Sequence, residues 1–191
     1  MRRFIDRGAV FAAWVGVGTA VVVVIAFALI LPIQAIVYVL ALPVGALIGW
    51  YANIRSDRSR PRGRAVANGV WAGAITGLVI ALFYVGVRLL FIYADTGYPD
   101  YNRTDPKTGE SIPPYCVTGP ACTYERYLSA GRAPELERAG ITDADSFARS
   151  ILSEQIGGGA ILFGLTLGGA AIAGGWRALA PVRREPEPSL A

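Results

Sequence analysis

The chain has no histidine in 191 residues, only two cysteines, and no Asp, Glu, Lys or Arg from residue 8 to 54, 65 to 87 or 156 to 176. Without imidazoles, haem or chlorophyll cannot be ligated through histidine, and His-based acid–base pairs are excluded. Two thiols and no histidine make an incomplete zinc ligand set. Proton-coupled transport normally needs carboxylates or histidines inside the membrane, and intramembrane hydrolysis needs a nucleophile beside a base. The uncharged runs hold neither. We therefore expect no catalytic residues, no metal and no cofactor: a protein that is not an enzyme.

The uncharged runs are long. Residues 9–31, 33–53, 65–93 and 156–179 are apolar on all sides, and each is near or above the ~20 residues that a helix needs to cross a bilayer. The expected fold is an all-α, four-transmembrane-helix bundle, with residues 94–155 forming an extracytoplasmic cap that contains short helices. Residues 1–8, 54–64 and 180–191 are then cytoplasmic, and the last of these has the composition of a disordered tail.

Charge orients this topology. Arg2, Arg3, Arg7, Arg55, Arg58, Arg60, Arg62, Arg64, Arg177, Arg183 and Arg184 fall on one side of a four-crossing chain, with Asp6, Asp57, Glu185 and Glu187. The loop 94–155 carries ten acids against six bases. Positive ends mark the cytoplasm, so both termini are expected inside and the acidic loop outside a cell (inner or plasma) membrane. Trp14, Trp50, Trp71 and Trp176 all fall near the cytoplasmic interface in this arrangement, where an amphipathic ring gains from both phases. The first apolar run exceeds the core of a secretory signal and is expected to remain a span. The basic run 55–64 is too short for a nucleic-acid reading module, so its role is topological and nucleic acid is not an expected partner. A surplus of Ala and Arg over Lys, of which Lys107 is the only one, is a bacterial-type composition.

Several breaks punctuate the chain. Pro32 is a natural stop between the first two spans, and Pro43 is expected to kink the second. In the loop, Tyr124, Tyr127 and Leu128 recur at helical spacing, and Pro134 suits the first turn of a second short helix. Thr142-Asp-Ala-Asp145 resembles a capping box, and Phe147, Ile151 and Leu152 form an apolar stripe leading into the fourth span. Gly157-Gly158-Gly159 is expected to interrupt that junction.

Small residues spaced by four recur in every span. Gly69, Gly73 and Gly77 lie in the third, and Ala160, Gly164 and Gly168 in the fourth, with Ala170 and Gly174 on a neighbouring row. Lipid supplies no hydrophobic drive between helices, so close backbone approach must hold them together. Gly69, Gly73, Gly77, Gly164 and Gly168 are the expected helix-packing positions, within the bundle or against a second copy or another membrane subunit.

Cys116 and Cys122 lie outside in this topology, where a disulfide persists, and Thr118-Gly119-Pro120 offers a turn between them. A cysteine pair between spans three and four is similar to that of membrane thiol oxidases that pass electrons to quinone. Those also carry a C-x-x-C pair near the membrane, which this chain lacks. Arg88, the one ionisable residue well inside a run, is expected near the outer surface, reaching toward water or forming an ion pair with an acid such as Asp95. The functional expectation is a non-catalytic accessory, structural or assembly subunit of a membrane complex, its partners being the bilayer and other subunits or itself. The alternative is a small oligomeric transporter or channel with a glycine-lined path.

Overall fold

The computed structural model describes residues 5–30, 34–56, 61–94, 104–105, 107–110 and 119–179. Among these, all regular structure is helical: α1 (Arg7–Val24) continuing as a π-helical segment (Ile25–Ile30), α2 (Gln34–Ile54), α3 (Arg62–Tyr93), α4 (Pro120–Ser129), α5 (Ala133–Arg138) and α6 (Ala144–Leu179). Four helices are long and apolar enough to cross a membrane: Arg7–Phe27, Ala35–Ile54, Arg62–Tyr93 and Ala144–Leu179. Pro32, Asp95, Cys116 and the tail 180–191 lie outside the described residues.

The first compact unit contains α1, α2, α3 as far as Phe83, and α6 from Ala160. Its core is made mostly of small side chains. Ala9, Ala12, Ala20, Ala41, Ala52, Ala65, Ala72 and Ala170 are buried, with Ile80 and Leu162 among the few large fully buried residues. Large apolar side chains point the other way: Trp14, Val22, Val39, Leu47, Leu82, Ile172 and Trp176 are exposed. In water so much exposed apolar surface would drive aggregation, whereas hydrocarbon accepts it. The β-branched run Val21–Val24 is a weak helix former in water. In lipid a helix satisfies its own backbone, which outweighs that preference.

Pro43 lies within α2, and the helix continues on both sides of it. The fourth apolar run begins earlier than its hydropathy suggests. α6 is continuous from Ala144 through Gly157-Gly158-Gly159 to Leu179, so the glycines do not interrupt it. Its 36 residues span about 54 Å, well beyond a ~30 Å hydrocarbon core.

The second unit comprises Tyr84–Gly159. Its small core joins Leu136, Ile141 and Phe147, with Tyr124, Tyr127, Leu128 and Ile151 packed against it. The Tyr124 and Tyr127 rings lie 5.7 and 5.4 Å from that of Phe147, in tilted geometry. α4 and α5 end in the same way. The glycines Gly131 and Gly140 take positive φ, and Arg132 N–H and Ile141 N–H donate back to the Tyr127 and Leu136 carbonyls at 3.0 and 2.9 Å. Each ending closes with a side-chain contact across the turn. Ile141 joins Leu136 in the core, and the Arg132 guanidinium stacks 4.3 Å over the Tyr127 ring.

Candidate functional site

The features with most chemical content in the first unit are its glycine-lined helix contacts and a polar junction at the amino ends of α1 and α3. The contacts between α2 and α6 are backbone to backbone. A Cβ added at Gly45 would collide with the Thr166 carbonyl, and one at Gly169 with the Leu42 carbonyl. At Gly49 it would lie 2.6 Å from the Ala170 carbonyl oxygen. From α3, a Cβ at Gly73 would collide with the Ala170 methyl, whereas at Gly69 and Gly77 the nearest atoms would stand at 3.0 and 3.1 Å, a tight but less severe fit. α6 thus lies against both α2 and α3 along Leu42–Gly49 and Gly69–Gly77. α1 approaches α3 likewise, because a Cβ at Gly16 would strike the Thr76 hydroxyl. Thr76 and Thr166, both fully buried, donate to the Ala72 and Leu162 carbonyls at 2.9 and 2.8 Å. This satisfies their hydroxyls within their own helices.

Within this unit a Cβ at Gly69, Gly73 or Gly77 would therefore meet a neighbouring helix, unlike one at Gly164 or Gly168. A Cβ at either of the latter would meet nothing within 4 Å. The row of α6 used inside the unit is Leu162, Thr166, Ala170 and Gly174, which is the neighbouring row of small residues. The expected row lies on an open side, beside exposed Ile161, Ile172 and Trp176.

The polar junction draws together residues far apart in sequence. Asn68, wholly buried, accepts from the Asp6 backbone N–H at 3.1 Å. Its side-chain amide donates to the Asp6 carboxylate at 2.7 Å and to Ser56 Oγ at 3.2 Å. Ser56 in turn donates to the Ala52 carbonyl at 2.6 Å, and Arg64 stands 3.7 Å from the Asp6 carboxylate. Beside it, Arg55 stacks on the Phe11 and Tyr51 rings at 5.3 and 5.6 Å and donates to the Tyr51 hydroxyl. Neither Asn68 nor its partners stand out from residue spacing alone. The signal was present, as an Asn inside an otherwise apolar run and an Asp at the start of another.

Trp14, Trp50 and Trp176 are exposed, at 72%, 48% and 77%, while Trp71 is half-buried. Trp14, Trp50 and Trp71 all lie within about two helical turns of Asp6, Ser56 and Asn68 respectively, so they share one end of the unit.

In the second unit, Arg88 Nε donates to Gln155 Oε1 at 3.3 Å, and Gln155 is buried. This partner is neutral and sets an oriented dipole against the charge of Arg88. Asp95 lies outside the described residues. Cys122 is buried in the first turn of α4, behind Pro120 at the helix start, and Cys116 lies outside the described residues. The cap of α6 is displaced by one residue from the expected box. Asp143 Oδ1 accepts the Ser146 N–H at 2.6 Å, while Ser146 Oγ accepts the Thr142 and Asp143 N–H groups at 3.1 Å each. The hydrogen bonds from Ser146, backbone first, hold the Asp143 carboxyl below its ordinary range. The 2.7 Å contact of Arg132 with Glu135 lowers the acid and raises the base.

Among the described residues no three His, Cys, Asp or Glu side chains gather where a metal ion could sit. No protein-family model, curated protein or solved structure matches the chain.

Proposed function

We propose that the chain is a non-catalytic subunit of a larger membrane complex, with an accessory, structural or assembly role, and that the open row of α6 is where its partner packs. The observation that carries this reading is the pair of small-residue rows on α6. One row is filled by α2 and α3, and a Cβ added at Gly164 or Gly168 on the other would meet nothing within 4 Å. Small residues let helix backbones approach in lipid, and a covered row explains why the inward one is small. The glycines that a transport path would use (Gly45, Gly49, Gly69, Gly73) are instead occupied by α6, which argues against a glycine-lined channel within one chain.

The protein sits in the cell membrane in this reading, both termini cytoplasmic and the loop 94–155 outside. The charge asymmetry supports this orientation, as do the tryptophans at the same end as the Asp6–Asn68 junction. Cys116 and Cys122 then meet an oxidising compartment and form a disulfide. Closing so short a loop contributes about 2 kcal/mol on chain-entropy reasoning. The buried position of Cys122, and the absence of a free cysteine among the described residues, are consistent with it.

Purification in a mild detergent followed by mass spectrometry tests the accessory role. The expected result is a defined protein partner that is lost in Gly164→Leu/Gly168→Leu while helicity is kept. An isolated monomer from the native membrane, with no companion, would overturn the reading.

A further inference from the structure

A shallow apolar groove of about 200 Å³ runs between α1 and α3, lined by Val10, Ala13, Trp14, Val17, Trp71 and Ile75. It is smaller than the ~300 Å³ at which small-molecule pockets begin. No polar side chain converges on it, so it suits a narrow hydrocarbon chain better than a metabolite. Among the described residues of the first unit, basic side chains stand at one end of the groove. Arg7, Val10, Trp14 and Val17 follow one another at three- and four-residue spacing and so share a face of α1. Arg64, Trp71 and Ile75 do the same on α3, at spacings of seven and four. Arg7 and Arg62 are exposed, and Arg64 keeps a third of its side-chain surface open. Asp6 is the single described acid at this end, and its carboxylate is already engaged by Asn68 and Arg64. The level of Trp14 lies about 10 Å along α1 from Arg7, which is the depth of upper acyl chain below a headgroup.

We infer that this groove is a site for an anionic phospholipid, with an acyl chain along Val10–Val17 and Trp71–Ile75 and its headgroup phosphate met by Arg7 and Arg64. The charge balance at the groove end selects an anionic over a zwitterionic lipid. The apolar walls require the tail and so set this site apart from general attraction of the arginines to a charged surface. It depends on the helices crossing a bilayer, and is independent of whether the chain serves a larger complex.

Trp14 and Trp71 provide the readout. A Trp50→Phe/Trp176→Phe chain in phosphatidylcholine vesicles would be titrated with brominated-chain phosphatidylglycerol, and separately with brominated phosphatidylcholine. Quenching by the anionic lipid is expected to reach half its maximum at a mole fraction roughly five-fold lower, the selectivity of about one favourable arginine contact. Arg7→Gln, at an exposed position, removes that preference, and Val17→Phe fills the groove and weakens quenching by both lipids. Circular dichroism confirms that both variants keep the parent's helicity. Equal quenching by the two lipids overturns the inference, as does a preference that neither substitution changes. Quenching by neither lipid, the result if a second copy covers the groove, overturns it too.

Discussion

Asp143 and Asp6 stand before the first residue of two long helices and use their carboxylates differently. Asp143 turns back on α6 and accepts the Ser146 amide, whereas Asp6 makes no cap bond to α1 and gives its carboxylate to Asn68 and Arg64. One carboxylate serves its own helix and the other joins two. Because the Asp143 pKa is lowered by folding, its contribution is fully present above the ordinary aspartate range and is lost as pH falls through the lowered value. The Ser146 amide resonance is therefore expected to titrate with a midpoint below that of an ordinary aspartate, and to become flat with pH in Asp143→Asn, which keeps the acceptor. A midpoint at the free aspartate value would show that the cap is not formed. The shift of this cap by one residue was hard to read from sequence. Thr142, Asp143 and Asp145 are all competent cap residues, and only the seating of Phe147 in the core of the second unit decides among them.

The helices themselves were legible, since an uncharged run of some twenty residues has few other ways to satisfy its backbone. Which row of α6 faces inward was not. Ala160, Gly164 and Gly168 repeat as regularly as Thr166, Ala170 and Gly174, and spacing alone cannot separate two rows that are both small. The distinction comes from the carbonyls of α2 and α6 that Gly45, Gly49 and Gly169 leave room for. It predicts opposite outcomes for the same change. Gly45→Ala should lower resistance to unfolding in mixed detergent micelles by about 1–3 kcal/mol, the cost of overpacking. Gly164→Ala should be neutral or raise it by a few tenths, as expected of alanine in an open helix position. Equal effects at the two sites would mean that the two rows are packed alike.

For the whole molecule, orientation is the property that arginine asymmetry encodes most directly and that the helices alone leave unsigned. A membrane-impermeant maleimide added to intact cells should label Cys116 and Cys122 only after reduction. With both cysteines replaced by serine, Ser59→Cys should react only after permeabilisation. Labelling of Ser59→Cys in intact cells would reverse the topology. The junction of Asp6 with Asn68 also carries a consequence for how the protein is made. These residues are 62 positions apart, so the amino end of the first span emerges and inserts long before its anchor exists. α1 and α2 meet first, through the close approach of Gly8 to Arg55 and the Phe11–Tyr51 contact. The junction can close only once the starts of α1 and α3 and the end of α2 are all present, so its hydrogen bonds form after the α1–α2 contact.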